Sequence, residues 1–188
     1  MTRSLILAVV LLAGCTAGPP TSTATPTSLE IDAVAQRYAT YTLERAEREG
    51  YKRDPFCLDA ASFGQAPAHG AMGFHATNET LLRGPIDANR PQALLFDADG
   101  RVLGVEYEVM VDAVQGAPQL FGRTFVKLPP HAGVRHEHYA LHLWFIQNPS
   151  GPFADFNPRV SCPPATTPAE GSPGPLSTPP PEDHNAAH

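Results

Sequence analysis

The chain lacks most of the patterns that would name a chemistry. It has three cysteines and one tryptophan in 188 residues, and no CxxC pair, HExxH, GxSxG or SxxK motif. Those absences remove the strong zinc signatures and the common serine nucleophiles. Basic charge is scarce too: 13 Lys and Arg stand against 19 Asp and Glu, for a net charge of −6, and no segment concentrates the basic residues. Nucleic-acid binding depends on clustered cations that neutralise phosphates, so it is excluded as a reading. No apolar run approaches the about 20 residues needed to span a bilayer. Ser62, Ser150 and Ser161 have no motif around them, so nothing assigns an enzymatic activity.

What is present begins at the N-terminus. Arg3 precedes an apolar run at residues 5–13, which ends in Leu12-Ala13-Gly14-Cys15. This resembles the lipobox of bacterial lipoprotein signal peptides. The resemblance implies that residues 1–14 are a signal peptide, cleaved before Cys15, whose sulfur then carries diacylglycerol. Two or more acyl chains give stable membrane attachment where one gives only reversible binding. The resemblance also implies a lipid-anchored protein on the exported side of the membrane. Thr16, rather than Asp, then directs it to the outer membrane if the cell is Gram-negative.

With Cys15 lipidated, Cys57 and Cys162 remain as an even pair in an oxidising compartment, and a disulfide is expected. Two buried free thiols are the alternative. Residues 15–27 hold the lipidated cysteine and a tether of small polar residues and Pro. Residues 163–188 form a Pro-rich tail with no aromatic residue, expected to be disordered. Residues 28–162 are then one domain, long enough to bury a core.

Thr27 and Glu30 have capping-box spacing, and Ile31, Val34, Tyr38 and Tyr41 follow a helical period up to a stop at Gly50. From residue 72 the texture becomes β. Residues 93–96, the turn Asp97-Ala98-Asp99-Gly100 and residues 102–111 read as a hairpin. In its second strand Val105, Tyr107 and Val109 share one face, and Glu106, Glu108 and Met110 the other. Residues 120–126 and 139–146 are further strands. The last is apolar on both faces and so central and covered. The fold class expected is α+β: an N-terminal helix packed on an antiparallel sheet of four to six strands, with a curled, barrel-like sheet as the variant.

Gly70-Ala71-Met72-Gly73-Phe74-His75, Val105-Glu106-Tyr107, Leu141-His142-Leu143-Trp144, Asn148-Pro149 with Gly151, and Asn157-Pro158 with Cys162 together resemble an uncharacterised family of exported bacterial proteins. The resemblance covers about residues 57–162. It implies one exported domain and carries no known activity.

Six histidines lie in the domain: His69, His75, His131, His136, His138 and His142. Imidazole suits Zn or Cu. His136 and His138 have the i, i+2 spacing that places two side chains on one face of a strand. The preferred metal set is His75, Glu106 and His142, one from each motif, since two imidazoles and a carboxylate leave an open coordination position. The alternative is a buried His142 hydrogen-bonded to Glu106. A second expectation is a small-molecule pocket lined by Trp144, Phe74, Phe121 and Tyr107, with the same three residues as its polar contacts. The sequence therefore reads as an anchored envelope protein with a binding or structural role, and with the membrane and a small molecule or an envelope protein as partners. Metal binding, or metal-dependent catalysis, at His75, Glu106 and His142 is the second reading.

Overall fold

A computed structural model describes residues 26–131, 134–164 and 166 of the chain. The signal peptide, Cys15, most of the tether and nearly all of the tail lie outside the described residues. Two helices open the domain: α1 (Pro26–Tyr38) and α2 (Leu43–Arg48). The eight strands that follow are β1 (Lys52–Asp59), β2 (Ala71–Thr77), β3 (Ala93–Phe96), β4 (Val102–Met110), β5 (Gln119–Leu120), β6 (Arg123–Thr124), β7 (Val126–Leu128) and β8 (His138–Trp144). Six of them form one curled antiparallel sheet in the order β1-β2-β3-β4-β8-β7. The α+β architecture with its disulfide is as the sequence indicated.

Three details differ from the sequence reading. The expected single helix is broken at residues 39–42, because Thr42 adopts an extended conformation and its side chain caps α2 by accepting from the Arg45 amide. The expected strand at 120–126 is a two-residue hairpin, β5–β6, followed by the separate β7. Phe121 and Gly122 take positive φ values of 51° and 70° and turn the chain there. Strand β1 had no clear signal, since it holds Pro55 and four charged residues. Pro is tolerated because β1 lies at the sheet edge, and the register with β2 shifts between Arg53 and Cys57.

The alternation of side chains divides the sheet into two faces of different chemistry. Val105 and Tyr107 of β4, Leu94 and Phe96 of β3, Phe74 of β2 and Leu141 and Leu143 of β8 form the main core with Val34, Tyr38, Tyr41 and Ala46 of the helices. The opposite face carries His75, Glu106, Glu108, His138 and His142, all buried. No helix covers it. The chain after β8 wraps over it instead. Asn157 forms a two-way backbone bridge with Ala71, and Val160 packs with Leu95 and Trp144. Cys162 then bonds to Cys57 on β1, with Cα atoms 5.5 Å apart. Among the described residues no helix is long and apolar enough to cross a membrane.

Candidate metal centre

Antiparallel register builds the site. Glu106 in β4 lies directly opposite His142 in β8, and β3 separates it from His75 in β2. Across that short strand the two longer side chains reach each other. His75 Nε2 is 2.9 Å from Glu106 Oε2, and His142 Nε2 is 3.4 Å from Glu106 Oε1. The three residues singled out from separate sequence motifs therefore converge, and their ligand atoms all lie within 4.8 Å of one another. Each residue is at most 1% exposed.

Close approach here is not hydrogen bonding. Both nitrogens of His75 and of His142, and both oxygens of Glu106, have no aligned hydrogen-bond partner among the described residues. An orphaned buried polar atom costs about 1–3 kcal/mol, so a cluster of them calls for a binding partner. Two ligand atoms on one ion, with bonds of about 2.0–2.1 Å, sit roughly 2.9 Å apart along an octahedral edge and roughly 3.3 Å apart along a tetrahedral one. The observed 2.9 and 3.4 Å separations fall in the range that those edges span. The alternative of a simple His142–Glu106 hydrogen bond does not match the geometry.

Electrostatics keep the carboxylate ionised. Burial pushes the Glu106 carboxyl up, but the neighbouring His142 and His75 outweigh it and hold the group well below the usual carboxylate range. Burial pushes the His142 imidazole down, while Glu106 and then Asp155 raise it further, and the net shift is upward. Asp155 Oδ1 stands 3.8 Å from His142 Nδ1, on the ring edge away from Glu106. A carboxylate behind a ligating imidazole fixes ring orientation and raises basicity.

The other sequence candidates separate. Trp144 does stand at the site: its ring stacks on His142 with centroids 6.2 Å apart and planes 10° apart, and its Nε1–H donates to the Ala154 carbonyl. Phe74, Tyr107 and Phe121 do not line a pocket with it. They belong to the core on the opposite face of the sheet. The expected ligand pocket fails because strand alternation puts those aromatics and the polar cluster on different sides. His136 and His138 do not chelate together either. His136 is exposed, and its carbonyl accepts from His138 Nδ1 at 2.9 Å. His138 turns inward instead, and its Nε2 lies 3.2 Å from His131 Nε2. Glu108 was read only as a face-mate of Glu106. It is fully buried beside it, and the alternation Glu106-Tyr107-Glu108 was the signal for it.

No protein-family model matches the chain, and neither does any curated protein or any solved structure.

Proposed function

We propose that this is a metal-binding protein of the bacterial cell envelope, anchored by lipid on Cys15, and that His75, Glu106 and His142 hold a Zn or Cu ion. One observation carries the metal reading. Two imidazoles and a carboxylate converge, buried, at coordination spacing, without hydrogen-bonding one another. The donor set supports a borderline metal such as Zn or Cu over Ca or Mg, which prefer all-oxygen cages. Complete burial of the ligands supports a structural or carrier role over turnover, since catalytic metals keep an accessible position.

Metal analysis tests the reading. Full-length protein stripped with chelator, reloaded with Zn²⁺ or Cu²⁺ and desalted is expected to retain metal. His142→Ala is expected to lose it at this position, while Trp144→Phe keeps it. Wild-type protein that retains neither ion would overturn the proposal. The anchor is tested separately by Cys15→Ser, which should move the protein from the membrane pellet to the soluble fraction; unchanged retention in the pellet would remove the lipid.

A further inference from the structure

A second set of buried donors lies next to the first. Glu106, Glu108 and His138 also bring ligand atoms within 4.8 Å of one another, and Glu106 belongs to both sets. We infer that the centre is dinuclear: Glu106 bridges two ions, one held with His75 and His142, the other with Glu108, His138 and His131. The inference rests on the metal reading above and extends it.

Four observations carry it. First, both oxygens of Glu108 are buried and have no aligned hydrogen-bond partner among the described residues. Two buried carboxylates two residues apart on one strand face repel, and a divalent cation between them removes that repulsion. Second, the proton on His138 is located by its contacts. Nδ1–H donates to the His136 carbonyl, so Nε2 presents its lone pair to the interior. Third, that lone pair faces another histidine. His131 Nε2–H donates to it at 3.2 Å, a hydrogen bond that an ion would replace on loss of that proton, and the separation is close to the roughly 3.3 Å between two nitrogens on one tetrahedral ion. Fourth, the four imidazoles form one continuous group, with ring centroids 6.3 Å apart for His142 and His75, 6.2 Å for His75 and His131, and 4.8 Å for His131 and His138.

The topology explains why one residue must be shared. His138 and His142 point the same way from β8 but are four residues apart, about 13 Å along an extended strand, too far to meet on one ion. Glu106 and Glu108 face them from the neighbouring strand, opposite His142 and between the two histidines in register. A carboxylate has two oxygens, and those of Glu106 serve both sides. Two-metal sites of this kind take first-row divalent ions and can clamp an oxyanion between them. Beside the second position Leu82, Met110 and Val134 pack together, and the Phe63 and His131 rings meet edge to face.

The test is stoichiometry and magnetic coupling in full-length protein loaded with Mn²⁺ or Co²⁺. The expected result is two ions per chain, with a spin-coupled electron paramagnetic resonance signal. Glu108→Gln, nearly the same shape, is expected to hold one ion with an uncoupled signal, and His138→Ala likewise. His142→Ala should keep the second ion and lose the first. One ion per chain in the wild type, unchanged by Glu108→Gln, would overturn the dinuclear centre and leave the single site standing. No ion in the wild type would overturn both. Two ions without coupling would overturn the bridge by Glu106. An unchanged far-ultraviolet spectrum and an intact disulfide in each variant show that the loss is local.

Discussion

Glu108 is the residue whose stability and function pull in opposite directions. Burial, then the charge of Glu106, pushes its carboxyl well above its ordinary value of 4.5. In the metal-free protein the folded state therefore holds a proton that the unfolded chain has released. Its contribution to stability is complete below about pH 4.5 and is lost as pH rises through the raised folded value. Gln at this position has no such loss, and its amide can donate to Glu106. Glu108→Gln should thus stabilise the metal-free protein near neutrality by about 1–3 kcal/mol, or several degrees in Tm. The gain should shrink towards pH 4. Glu106, held low, loses its own contribution as pH falls below 4.5 and is coupled to Glu108, so the comparison is read near neutrality, where Glu106 is ionised in both proteins. Thermal melts of the two proteins across pH, in chelator, give the answer; equal Tm values at pH 7 would mean that Glu108 carries no charge strain. The first triad was legible in the sequence because each member sat in its own motif on a strand of readable phase. Glu108 and His131 were not legible as members of the cluster. The first needed the exact register of β4 against β8, and the second sits in a loop that no periodicity describes.

At the scale of elements, the site depends on a strap that no hydrophobic pattern announced. The segment after β8 has little regular structure and is held by backbone and Asn side-chain bonds: Asn148 Nδ2 to the Phe156 carbonyl, Asn157 Nδ2 to the Gln147 carbonyl, and Ala71 with Asn157 in both directions. Gly70, just before β2, makes that contact possible. Its φ is +83°, and a Cβ there would lie 2.1 Å from the Asn157 carbonyl oxygen. Gly70→Ala is expected to cost at least the about 1–3 kcal/mol of a strained backbone, and to lift the strap from β2. Hydrogen exchange should then quicken at the Ala71 and Asn157 amides while β4 stays protected; uniform protection would show that the strap rests on its side chains instead. The strands with clean alternation, β4 and β8, were readable in advance. The edge strand β1 and the helix break at 39–42 were not, because tertiary pairing and one Thr42 cap decided them against the local pattern.

For the whole molecule, the disulfide and the proposed metal centre are two closures of one wrap. The chain leaves β8 beside His142, passes Asp155 behind that imidazole, crosses to β2 at Asn157 and is fastened to β1 at Cys57 by Cys162. The bond joins residues 105 apart, and loops of that length are stabilised by roughly 4–5 kcal/mol in chain-entropy accounts. Cys57 is 1% exposed and Cys162 is half-buried, so full access of a thiol reductant to the bond needs the wrap to open. Opening moves Asp155 away from His142 and uncovers the cluster, which weakens its hold on an ion. Whatever binds the closed form and not the open one makes opening rarer by the factor 1 + [L]/Kd. Metal loading should therefore slow reduction of Cys57–Cys162 by dithiothreitol, about 100-fold when free metal is 100 times its Kd. The protection should vanish in His142→Ala, because the ion nearest the strap is then absent. The measurement is the rate of thiol appearance by quenched alkylation, with a metal ion that dithiothreitol does not sequester, such as Mn²⁺. An identical rate with and without metal would mean that reductant enters by fraying of the edge strand β1 alone, with strap and site opening independently.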